Sequence, residues 1–116
     1  FDNEAWKNMA ENMTFSLSHL ITTEPNYMSN WGIVLMELKK GLAEVVFAGP
    51  VTTETRKNFH QTFQPFAVTM GTSGTSTLPL LQGKVALDQK PTIYVCYNKT
   101  CQRPVHELEL ALAQIN

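Results

Sequence analysis

The chain holds two cysteines, Cys96 and Cys101, and both fall in one short stretch, "IYVCYNKTCQRPV", residues 93–105. Three chemistries fit them. With His106 they read C-x4-C-x4-H, which offers a set of zinc ligands; yet structural zinc sites want three or four ligands with pairs two to four residues apart, and no fourth ligand follows. A reversal through the polar "YNKT" turn could instead bring the two Cα atoms within the roughly 4.4–6.8 Å of a disulfide, and Asn98 suits such a turn because it tolerates positive φ. That makes a disulfide or redox pair. Third, Cys96 lies in an apolar β-rich run, where a thiol packs as a small hydrophobe. We expect reduced thiols in a cytoplasmic setting. Cys101 should be the more reactive, because Pro104 places it near the positive end of a last helix, which favours a thiolate. Cys96 should mainly pack.

Other candidate chemistry is thinner. "GTSGTST", residues 71–77, follows an apolar run and carries two glycines, as phosphate-cradling loops do, but it lacks the GxxxxGK[ST] and GxGxxG patterns. "GPVTTE", residues 49–54, reads as a strand-to-helix turn, and ligands of open α/β sheets favour the carboxyl ends of strands. Gly49, Thr52, Gly71 and Gly74 are therefore the candidate ligand-facing positions. His60 or His106 could pair with a cysteine as base and nucleophile, but no local signature accompanies them, and Ser73 and Ser76 lie in no G-x-S-x-G elbow. The carboxylates are dispersed. No catalytic residue is assigned, and no cofactor is expected.

These residues need elements to hold them. Trp6, Met9, Met13, Leu17 and Leu20 recur at helical steps, with Asp2 or Asn3 as cap. Pro25 breaks the pattern. Tyr27, Trp31, Val34, Leu35 and Leu38 then form a second stripe, closed by Lys39, Lys40 and Gly41. "AEVVFAGP" reads as a buried strand. "VTTETRKNFHQTF" reads as a helix with Phe59 and Phe63 one turn apart. Strands follow at 66–70 and 92–97, with a loop between them that tucks Leu78, Leu80 and Leu81 under the sheet. The last helix opens at Pro104 and carries Val105, Leu108, Leu112 and Ile115. The expected fold class is α/β: a helical hairpin over 1–41, then a small, mostly parallel three-stranded sheet flanked by helices over 42–116.

Composition bounds the rest. The chain has 116 residues, 43% of them apolar, enough for one sizeable core. A formal net charge of −1 gives no field to recruit nucleic acid, and no apolar run approaches the roughly 20 residues of a membrane span. Neither nucleic acid nor membrane is an expected partner. The apolar faces of Trp6, Met9, Met13, Trp31 and Leu35 must find cover on each other, on the sheet or on a second copy, so self-association is an expectation.

"KPTIYVCYNKTCQRPV" resembles a stretch near the carboxyl end of the family typified by bacterial YyaL and the animal spermatogenesis-associated thioredoxin-like protein, whose chains carry "PTAYVC", a short turn, "CQxPV" and a terminal helix. "PNYMSNWGIVLMEL" and "AEVVFAGP" are similar to that family's penultimate helix and following strand. Cys96 and Cys101 fall on the family's two cysteines; His106 stands where relatives carry a small polar or acidic residue, so the resemblance lends it no metal role. The family joins a thioredoxin-like domain to an α/α toroid similar to six-hairpin glycosidases. The resemblance thus implies an excised carboxyl-terminal piece, with residues 1–41 ending the toroid of the parent chain. It implies a non-catalytic structural or interaction module. The alternatives are a redox or ligand-binding module at the Cys96–Cys101 turn, or one wall of a sugar-like pocket in the intact protein.

Overall fold

The computed structural model describes residues 3–50 and 52–115. The chain divides between Gly41 and Leu42 into two compact units.

The first unit is helical, with three helices where the spacing suggests two: α1 (Glu4–Ser16), α2 (Ser18–Thr23) and α3 (Pro25–Lys40). Asn3 starts α1, its Oδ1 accepting the Trp6 N–H at 3.1 Å, while Asp2 lies outside the described residues. The apolar stripe runs through Leu17, but the backbone does not. Leu17 sits at φ −94, ψ 1, and its N–H turns to the Thr14 and Phe15 carbonyls. Ser16 also donates its hydroxyl to the Met13 carbonyl, an alternative to the helical ladder that favours a break there. Pro25 opens α3, where its missing N–H costs nothing. Ile21 is buried and seats over Gly32 of α3; a Cβ at Gly32 would stand 3.8 Å from its Cγ2.

The second unit is a sheet with helices. Its strands are β1 (Ala43–Ala48), β2 (Ala67–Thr72), β3 (Thr92–Tyr97) and β4 (Thr100–Cys101), in the order β2-β1-β3-β4. β1 pairs parallel with β2, antiparallel with β3, and β3 pairs antiparallel with β4. The expected three-stranded, mostly parallel sheet is therefore corrected to a four-stranded mixed one. The cause is the segment from 73 to 91. A parallel return needs a crossover long enough to carry the chain back along the sheet, usually a helix. This segment holds no helix among the described residues, so the chain stays at one end and β3 starts where β2 finished.

Both faces of β1 and β3 are buried, which is why they read as continuous apolar runs rather than alternating ones. On one face Val45, Phe47, Ile93 and Val95 pack with Phe59 of α4 (Thr52–Phe59) and Ala111 of α5 (Leu108–Leu112). On the other, Val46, Ala48, Tyr94 and Cys96 pack with Leu81 and the partly buried Leu80 and Met70. Of the three loop leucines expected under the sheet, Leu78 is exposed.

Two helix boundaries also differ from the expected ones. The fourth helix ends at Phe59, because the Gln61 and Thr62 N–H groups close three residues back onto Asn58 and Phe59 and the Thr62 hydroxyl caps the Phe59 carbonyl at 2.6 Å. Phe63, beyond that turn, is 89% exposed. The last helix starts at Leu108 rather than Pro104. Val105 instead exchanges both backbone hydrogen bonds with Ile93, at 2.7 and 3.0 Å, extending the sheet by one bridge. Its side chain still reaches the core, so the apolar stripe was informative about burial while the backbone there is extended.

Candidate functional site

The sequence places its chemistry at two locations, and the fold builds them differently. The first is the hairpin. Asn98 and Lys99 form its two-residue turn, both left-handed at φ 48 and 67, the backbone that matches the twist of the flanking strands. Cys96 then stands directly opposite Cys101. The Gln102 N–H donates to the Val95 carbonyl at 2.9 Å, which marks Cys96–Cys101 as a non-hydrogen-bonded antiparallel pair, the kind that brings side chains closest. The two Sγ atoms are bonded. Their Cα atoms lie 3.8 Å apart, nearer than the roughly 4.4–6.8 Å anticipated.

Three expectations change with this bond. The thiols are not reduced. Cys101 lies on β4, separated from α5 by residues 102–107 and a sheet bridge, so it does not stand at the start of the last helix as expected. The zinc alternative loses its ligands: both sulfurs are committed to each other, and the described residues hold no group of three or more histidine, cysteine or carboxylate side chains placed for a metal. His106 points elsewhere. Its Nδ1 lies 2.9 Å from the Pro91 carbonyl, and its Nε2 lies 4.0 Å from Asp88. The asymmetry anticipated for the pair is present in its burial: Cys96 is 1% exposed among Val46, Ala48, Leu81 and Tyr94, while Cys101 is half-buried.

The second location is the end of the sheet where β1 and β2 finish and β3 begins. The four candidate positions split there. Gly49 and Gly74 line one cleft of about 180 Å³ with Thr72, Ser73, Thr75 and the 84–86 segment. Gly71 faces the other side of the sheet, where a Cβ would lie 3.6 Å from Arg56 Nη1 and 3.9 Å from Thr52 Oγ1. Gly49 has a steric reason to be glycine. At φ +113 a side chain is strained, and a Cβ would meet that of Ala86 at 2.8 Å. The Thr72 hydroxyl both accepts the Gly74 N–H and donates to the Gly74 carbonyl. Thr72 thus spends its hydroxyl on Gly74 rather than aiming it into the cleft. Its volume also falls below the roughly 300–1,000 Å³ of pockets that enclose small molecules.

Sequence reasoning missed the second wall of this cleft. Tyr94 donates its hydroxyl to the Val85 carbonyl at 2.7 Å, Lys84 Nζ sits 5.7 Å from the Tyr94 ring centre, and Thr92 accepts the Leu87 N–H at 2.8 Å while donating to the Lys90 carbonyl. Alternation along β3 puts Thr92 and Tyr94 on one face, but nothing local shows that their hydroxyls hold a loop several residues upstream. His60 lies on neither location; its Nε2 is 3.1 Å from the Thr69 hydroxyl.

No protein-family model, curated protein or solved structure matched the chain. No described helix is long and apolar enough to cross a membrane.

Proposed function

We propose that the chain is a non-catalytic structural and interaction module of a larger protein, in which residues 1–41 offer an apolar helical face to the rest of the parent chain. The observation that carries this reading is on α1. Trp6, Met9 and Met13 recur at steps of three and four, so they share one face, and they are 61%, 59% and 49% exposed. Leu20, Ile33 and Met36 add further exposed apolar surface in the same unit. Contiguous exposed apolar surface on a small unit marks an interaction site. The resemblance of the sequence to the carboxyl end of a toroid-containing family supports the same reading.

The test is a comparison of contexts. Met9→Lys combined with Met13→Lys should change the stability of the 116-residue chain by less than about 0.5 kcal/mol, because solvated positions tolerate such changes. In the longer parent chain the same pair should lower the unfolding midpoint clearly, because a lysine would be forced into a covered apolar contact. Equal, small effects in both contexts would overturn the proposal.

A further inference from the structure

We infer that the β3–β4 hairpin is a thiol–disulfide exchange site, in which Cys101 meets an external thiol or disulfide and Cys96 resolves the mixed disulfide that forms. Three observations carry this. The first is access. Cys96 is 1% exposed and enclosed by Val46, Ala48, Leu81 and Tyr94, whereas Cys101 is half-buried on a two-residue strand. Cys101 is thus the more open side of the pair, and an external reagent approaches the bond from there. The second is proximity. The left-handed turn at Asn98 and Lys99 and the 2.9 Å bond from Gln102 to Val95 hold the two residues opposite one another through backbone contacts that do not involve sulfur. The reduced pair keeps its geometry, so ring closure by Cys96 is an intramolecular step. The third is environment. The apolar side chains around Cys96 leave no approach for a bulky external reagent, so the partner within its reach is Cys101, directly opposite on β4.

The chemistry balances with a small-molecule disulfide as co-reactant. The Cys101 thiolate attacks one sulfur of that disulfide and expels the other half as a thiolate, leaving a mixed disulfide at Cys101. Cys96 gives its proton to solvent or to the departing thiolate and attacks Cys101 Sγ. This closes the Cys96–Cys101 bond and expels the second half. Two protein thiols lose two electrons, and the reagent is reduced to two thiols. A dithiol reductant runs the sequence backwards. The fold should survive either state: the bond closes only a short loop, and the pairing of β3 with β1 contains no cysteine–cysteine contact.

Fully reduced protein treated with oxidised glutathione, with quenched samples mapped by peptide mass spectrometry, tests this. Cys96→Ser should accumulate glutathione on Cys101, while the wild type should carry that adduct only transiently before closing its own disulfide. Cys101→Ser should be modified at Cys96 roughly tenfold more slowly or worse. Alkylation of the reduced wild type gives a reading independent of the variants' folding: label should reach Cys101 before Cys96. Faster labelling at Cys96 would overturn the proposal, as would a wild-type glutathione adduct as long-lived as that of Cys96→Ser.

Discussion

Phe59 and Phe63 are one helical turn apart in the sequence, and the structure treats them as opposites, so truncating each should give very different results. Phe59 is 2% exposed, is the buried residue of α4, and meets Phe47 edge-to-face with ring centres 5.7 Å apart at 70°. Phe63 is 89% exposed. Phe→Ala in a core costs about 3–5 kcal/mol through lost transfer energy and the cavity left behind, a loss that includes ring contacts such as the one to Phe47. An eight-residue helix cannot hold itself in water without such an anchor. We therefore expect Phe59→Ala to cost about 4 kcal/mol. A unit of roughly 75 residues has only about 4–11 kcal/mol in total, so the variant should sit near the edge of folding. Phe63→Ala should cost less than about 0.5 kcal/mol. Urea unfolding should be followed by backbone amide signals of residues 42–116, since Tyr27 also lies in the helical unit. Trp6 and Trp31 both lie in the helical unit, so indole emission would report the wrong transition. Comparable losses for the two variants, or a Phe59→Ala loss under about 1 kcal/mol, would refute the packing argument.

Thr92→Val should cost about 1 kcal/mol despite its near-equal volume, because it strips the Leu87 N–H of its acceptor and the Lys90 carbonyl of a donor in part-buried bonds; a neutral result in urea titrations would show that water replaces the hydroxyl. Gln89→Gly should stabilise the sheet unit by up to about 1 kcal/mol. Asp88 and Gln89 form a tight turn at φ 51 and 57, closed by the Lys90 N–H to the Leu87 carbonyl at 2.9 Å, and glycine adopts that conformation without the Cβ penalty. A lower thermal midpoint would contradict this.

How far the sequence could be read follows from what each signal encodes. β1 and β3 were legible because strands buried on both faces become unbroken apolar runs. The hairpin geometry was legible in Asn98, a residue that tolerates the left-handed turn. Strand direction was not, since nothing in "PTIYVCY" says from which end of the sheet it enters; that depends on the route of residues 73–91. The spacing of Phe59 and Phe63, and of Val105 and Leu108, reported apolar recurrence correctly but not the local hydrogen bonds that end one helix early and start the other late. Of the four candidate loop positions, Gly49 and Gly74 meet at one cleft through tertiary contacts to the 84–86 segment that no local pattern announces. The bonding of Cys96 to Cys101 turned on register, which places the two opposite at a non-hydrogen-bonded position; spacing alone left metal, disulfide and free thiols open.

The mixed order of the sheet also decides how the unit assembles. β3 and β4 are joined across two residues, and β1 reaches β2 through one short helix, so each half can pair from nearby chain. The seam between them is different. Ala48 opposite Thr92 brings together residues 44 positions apart; with β1 and β2 paired, the loop left to close is residues 73–91, which costs about 2.6 kcal/mol in chain entropy beyond a constant. Neither half can bury both faces of its strands until that seam forms. The cooperativity of the unit therefore resides in the contact between Val45, Val46 and Phe47 on one side and Ile93, Tyr94 and Val95 on the other. The chain from 73 to 91 is the tether that holds those two rows within reach of each other.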